Sequence, residues 1–452
     1  MSVAVADQVL RRERSAVEVL EEHLELLAAD SLGAVWRITE DRARREAAAV
    51  DRAVAEGRDP GPLAGVPVGW KDLIDTAGIT TTYGSSIFRD HVPERDADVV
   101  ARFAAAGAIC VAKLATHELA WGTTSQNPHF GPCRNPHDPE RVPGGSSGGS
   151  AAALAAGMVA AAPGTDTGGS IRCPASCCGI VGLKPTFGRV SLAGVRPLCP
   201  SFDHCGPMAR TVADCATQLE VMAGASPSDP RTPAVPIERW AEAARRGVDG
   251  LTVAVAERYF FEHTAPDIAA QVRHGVDALR AAGATLVEVD MEWPVDLGKT
   301  DPFVPEEAAT LIEVWPARRA DMGADVVYDL ERAQGMSAVD LAVTGRRRLE
   351  YRARMHEKLT TAGIDVVATP AQAFSPPPIG VEQVPFAGRE AFDVTSAMCG
   401  LTWIYNLLGW PAISVPCGRD ALGLPVGIQL AALPWREDYC LAAAAVVEAA
   451  SV

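Results

Sequence analysis

Apolar residues recur at helical spacing in Val17, Leu20, Leu24 and Leu27, directly after Ser15-Ala16-Val17-Glu18, whose serine and glutamate form a capping box. The pattern predicts an amphipathic helix opening the fold. Residues 35–38 read as a short strand, 41–56 as a second helix closed by Gly57, and 66–74 as a strand with Pro67 near its start, where strand proline is tolerated. A helix over 96–106 and a buried strand over 108–112 follow. An Ala-rich buried helix over 150–157 leads to a short strand over 159–162. Later, strands over 251–255, 285–289, 364–368, 412–415 and 426–431 are interleaved with helices over 266–282, within 392–408, and from Asp438 onward. This alternation predicts an α/β protein with a central sheet covered by helices. Residues 227–236 are Pro-rich and read as a surface crossing.

Composition narrows the class. With 452 residues, 48% hydrophobic and 22% charged, the chain can bury a sizeable core and is not a disordered protein. A formal net charge of −16 argues against nucleic-acid or anionic-membrane surfaces. The densest basic run, Arg346-Arg347-Arg348 with Arg352 and Arg354, reads as a solvated helix face. The first residues lack a basic region with an apolar core, and the longest apolar run, 151–163, is too short to span a bilayer, so a cytoplasmic protein is expected. Eleven cysteines favour free thiols over a disulfide framework. Cys173, Cys177 and Cys178 lack the spacing and histidine partners of a zinc site; no metal and no cofactor are expected.

Candidate chemistry lies in two glycine-rich serine segments, Gly144-Gly145-Ser146-Ser147-Gly148-Gly149-Ser150 and Gly164-Thr165-Asp166-Thr167-Gly168-Gly169-Ser170, downstream of Lys71. Glycines beside a serine let backbone N–H groups converge on one point, as an oxyanion requires. A hydroxyl needs a neighbouring base, and a lysine among Val66, Val68, Trp70 and Leu73 is placed for burial that makes it basic yet neutral. Gly144 to Gly148 also fits a Gly-x-Ser-x-Gly elbow, but no histidine follows in a late loop to complete that mechanism. Gly164 and Gly169 have Walker-loop spacing, yet Ser170 stands where the lysine belongs.

At these residues the chain resembles the amidase signature family, hydrolases with a Lys, cis-Ser, Ser triad. The likeness covers Gly65 to Asp72, Arg141-Val142-Pro143, Gly164 to Pro174, Gly182-Leu183-Lys184-Pro185-Thr186, Asp203 to Met208, Asn406 to Gly418 and Gly423 to Gln429. It implies one domain over 1–452, a large mixed central sheet with helices on both faces, a motif-bearing core about 61–220, and a variable substrate-shaping region about 225–362. It also implies Ser170 as nucleophile, Ser146 as relay after a cis peptide from Gly145, Lys71 as base, and an oxyanion hole from Thr167, Gly168, Gly169 and Ser170. Trp121, Gly145 and Cys173 are candidate substrate contacts, with Trp403 and Asn406 as further candidates. Asp166 and Arg172 would hold the nucleophile loop and Ser147 would support the triad. The expected activity is hydrolysis of a small amide, anilide, carbamate or ester through an acyl-enzyme, by a monomer or homodimer. The alternative is the glutaminase subunit of a tRNA-dependent amidotransferase. Such subunits typically carry Gln after the loop arginine, where this chain has Cys173.

Overall fold

The computed structural model describes residues 2–294 and 302–451. Its centre is a seven-stranded mixed sheet, in the order Thr285–Glu288, Thr252–Val255, Val366–Pro370, Pro425–Ala432, Ala412–Arg419, Val181–Lys184 and Met208–Ala209. The first three strands run parallel and the remaining pairings are antiparallel. Successive residues of a strand face opposite sides of a sheet. A Cβ on Gly427 would meet Ser176 of the helix Arg172–Cys178, whereas Ile428 and Cys417 approach Gly275 of the helix Pro266–Ala281, beside Val447 of the C-terminal helix Glu437–Ala450. Helices therefore cover both faces, as expected.

A second sheet of three strands carries Lys71. Pro67–Lys71 runs parallel to Ile109–Leu114, which pairs antiparallel with Val35–Ile38. Ile109–Leu114 is buried at every position, the pattern of a strand covered on both sides. Trp70 packs edge-on against Phe103 at 5.2 Å, anchoring the strand end.

Most predicted elements are present. The Ser15–Glu18 capping box starts the helix Ala16–Ala28, but its buried face uses Val19 with Leu20, Leu24 and Leu27, and Val17 is exposed. The fold opens one element earlier, with the helix Ser2–Leu10, whose start is tied down by Ser2 Oγ and Val3 N donating to Asp214. The expected strand over 159–162 reduces to a single bridge between Ala161 and Val68. The region 392–408 holds two short helices, Val394–Met398 and Ile404–Leu408. Arg348 departs from the solvated face expected of it. It donates to Leu407 O, Ser201 Oγ and Ser201 O, and lies 3.6 Å over the Phe202 ring, so burial lowers its pKa to about 10. Among the described residues, no helix is long and apolar enough to cross a membrane.

Candidate active site

Lys71 ends its strand and is fully buried. Its Nζ lies 2.7 Å from Ser146 Oγ, 2.7 Å from Thr165 Oγ1 and 3.0 Å from Ser147 Oγ. Burial removes water from the ammonium and draws its pKa from 10.5 to about 7, against the opposing pull of Asp166, Cys205 and Asp203. Ser147 Oγ donates to the Thr165 carbonyl at 3.2 Å, so its proton is committed and it accepts from the lysine.

The Gly145–Ser146 peptide is cis. The loop around it presses backbone against backbone: a Cβ on Gly149 would collide with Ala115 N, and Gly149 N donates to Ala115 O at 3.1 Å. Only glycine fits that approach.

The second loop leaves the short strand Gly164–Asp166, paired with His204–Gly206, and turns before the helix Arg172–Cys178. Four hydrogen bonds fix the turn. Asp166 Oδ2 accepts from Ile171 N at 3.1 Å and from Arg172 N at 3.4 Å. Thr167 Oγ1 donates to Asp203 Oδ1 at 2.6 Å, and Thr402 Oγ1 donates to Gly168 O at 2.6 Å. Gly169 has φ +141°, and a Cβ there would collide with Thr402 Oγ1.

Beneath the loop, Arg172 and Asp166 form a fully buried ion pair, with Nε and Nη2 reaching the carboxylate at 3.0 and 2.9 Å. Arg172 also donates to Thr402 O, Gln429 Oε1 and Asn406 Oδ1 at 2.6–2.8 Å, while Asn406 Nδ2 donates back to Asp166. Burial alone would raise the Asp166 carboxyl. Arg172, with Lys184 and Asn406, instead holds it well below the usual carboxylate range.

Thr167, Gly168 and Ser170 border a cavity of about 480 Å³, walled largely by Trp121, Tyr259, Trp293, Phe303 and Trp403. Tyr259 stacks on Trp293 at 3.6 Å, and Trp293 meets Trp403 edge-on at 5.3 Å. Trp121 Nε1 donates to Asp329 Oδ2 at 3.1 Å, which orients its ring along the wall. Ser170 is at the cavity edge, 6% exposed, while Lys71 and Ser146 are fully buried and not part of its wall.

Two candidate substrate contacts lie elsewhere. Gly145 and Cys173 are not part of the cavity wall. In the helix starting at Arg172, Cys173 is fully buried, and burial pushes its thiol up. Asn406 likewise sits in the buried ion-pair network, whereas Trp403 does line the cavity. Thr165 is a lysine neighbour that its sequence context does not mark, although strand alternation sets it opposite Gly164 and Asp166. Thr402 and Asp203 reach the loop from distant segments; Asp203 lies in a segment that carries the family likeness, but nothing there assigns it to this loop, and nothing local marks Thr402.

A family model described as Amidase matches residues 18–441. A glutamyl-tRNA(Gln) amidotransferase subunit of Synechococcus sp. (strain RCC307) is 37% identical, over 97% of this chain and 94% of that protein. Its counterpart in Roseiflexus sp. (strain RS-1) is 37% identical over 96% and 93%. Among solved structures, a chain from a vestigial protein complex tied to the origins of an s-triazine catabolic enzyme superposes with TM-score 0.93 at 34% identity, covering 100% of this chain and 98% of that one. A bacterial aryl acylamidase of the amidase signature enzymes gives 0.90 at 25% identity, with coverage of 100% and 96%.

Proposed function

The chain belongs to the amidase family, enzymes acting on carbon–nitrogen bonds, and from that premise we propose that it is an amide hydrolase working through an acyl-enzyme on Ser170. The observation that carries the proposal is Lys71, fully buried, drawn down to about 7, and in contact with three hydroxyls. A neutral amine has two N–H groups and one lone pair. With Ser147 and Thr165 taking the N–H groups, the lone pair is left for Ser146 Oγ–H.

In this reading Ser170 Oγ attacks the amide carbon while its proton passes to Ser146 Oγ and the Ser146 proton passes to Lys71 Nζ. The link from Lys71 to Ser146 is a direct contact; the link from Ser146 to Ser170 belongs to the proposal. N–H groups of residues 167–170 receive the oxyanion. The relay run backwards protonates the leaving nitrogen, the C–N bond breaks, and water then attacks the Ser170 ester to release the acid. We read residues 61–220 as carrying this chemistry and residues 225–362 as shaping the substrate site within one domain. Tyr259, Trp293, Phe303 and Asp329 in the wall support that division, and residues 295–301 lie outside the described ones. The aromatic walls favour a small substrate with an aryl or other apolar group.

A second reading is favoured by the curated relatives, and more strongly than the free-standing hydrolase: the chain as the glutaminase subunit of a tRNA-dependent amidotransferase, passing ammonia to a partner. Both readings use the same acyl-enzyme. Initial rates for the purified protein on anilides, aliphatic amides, carbamates, esters and glutamine separate them. Anilides or apolar amides leading in kcat/KM supports the hydrolase. Glutamine leading, with co-purification of a tRNA-binding subunit, supports the transfer reading.

A further inference from the structure

The hairpin formed by Gln383–Phe386 and Arg389–Asp393 turns through Ala387 and Gly388, both at positive φ, and carries one ring that two separate cavities share. Phe386 borders the active-site cavity on one side. On the other it borders an open groove of about 440 Å³ between this hairpin and the segment around His263. The ring is 6% exposed and wedged among Phe374, Phe392 and His263, with centroids 5.6–6.4 Å away.

Its seat is a bare backbone. A Cβ on Gly400 would lie 2.5 Å from Phe386 Cζ, so the ring occupies the space a side chain would fill. Gly400 belongs to the same turn as Thr402, whose hydroxyl holds Gly168 of the proposed oxyanion loop. One short segment thus supports both the reacting centre and the ring that closes the cavity toward the groove.

We propose that Phe386 is a specificity-determining residue. It stops the active-site cavity, of about 480 Å³, at the hairpin, so a substrate chain running in that direction ends at the ring, and the outer groove is the extension that a longer apolar chain would take if the ring were smaller. This rests on Ser170 being the nucleophile, as proposed above.

The test uses n-alkyl fluorophosphonates from ethyl to dodecyl, with labelling rates measured on the full chain and adducts mapped by mass spectrometry. Wild-type labelling should fall as the chain outgrows the cavity. In Phe386→Ala the dodecyl-to-ethyl rate ratio should rise roughly tenfold or more, with a smaller rise in Phe386→Leu, because each buried methylene adds to binding. Reaction of the ethyl probe at Ser170 reports a folded site in each variant, and Phe386→Leu retains enough apolar bulk to serve if the alanine variant unfolds. A wild type labelled equally well by all lengths, or a ratio unchanged in the variants that label with ethyl, overturns the role of Phe386. No labelling of wild type by any length overturns the Ser170 reading itself, and this inference with it.

Discussion

Replacing Lys71 by Met separates the cost of burying the amine from its use. Below pH 7 the folded chain must hold Lys71 protonated without water, whereas the unfolded chain carries the charge freely. Between pH 7 and 10.5 the unfolded chain keeps a proton that the folded chain has released, so wild-type stability rises with pH across that window, by about 1.4 kcal/mol per unit and roughly 5 kcal/mol in all. Methionine has similar length and no charge, so the variant escapes that cost. It strands the hydroxyls of Ser146 and Thr165, at about 1 kcal/mol each, while Ser147 retains the Thr165 carbonyl. Lys71→Met should therefore be more stable than wild type by roughly 2–3 kcal/mol near pH 6, with the gap closing near about pH 9. Urea unfolding of both proteins across that range reads the gap directly. A stability difference that stays constant with pH would refute the depressed pKa, whatever the enzyme's substrate.

Further outcomes follow from the same geometry. kcat/KM on any turned-over amide should fall as pH drops through about 7, because Lys71 then becomes protonated and cannot accept the relayed proton; a pH–rate profile flat from pH 6 to 8 contradicts it. Arg172→Met leaves the Asp166 carboxylate buried without its cation and should cost about 3–5 kcal/mol in urea unfolding; a loss below about 1 kcal/mol would mean that Asn406 and the backbone donors suffice. Thr402→Val removes the hydroxyl that holds Gly168 O and should lower kcat by about tenfold with little change in KM, read by steady-state kinetics; a rise in KM alone would place Thr402 in substrate binding instead.

What the sequence discloses is local. The Ser15–Glu18 box, the run Ile109–Leu114 and the helix Pro266–Ala281 carry their own periodicity or caps, and they appear within a residue or two of expectation. The order of the seven strands is set by pairings across hundreds of residues, and only the family resemblance supplies the mixed sheet. The helix Ser2–Leu10 escapes sequence reasoning, and its start is held by Asp214, 212 residues away. Arg348 reads as one charge among several, because Ser201, Phe202 and Leu407, which enclose it, are remote in sequence. In the site, the glycine-serine loops and Lys71 announce themselves by residue type. Cys173 sits in the right motif, but a helix start has two sides, and the sequence alone does not say which one faces the cavity.

Reaction of the wild-type protein with a small fluorophosphonate, followed by peptide mapping and a pH series of labelling rates, tests Ser170 and its lysine together. A single adduct on Ser170 is expected, forming faster as pH rises through about 7 and lost in both Lys71→Ala and Ser146→Ala. An adduct on another residue, or labelling of Ser170 that is indifferent to pH and to the loss of Lys71, would contradict it.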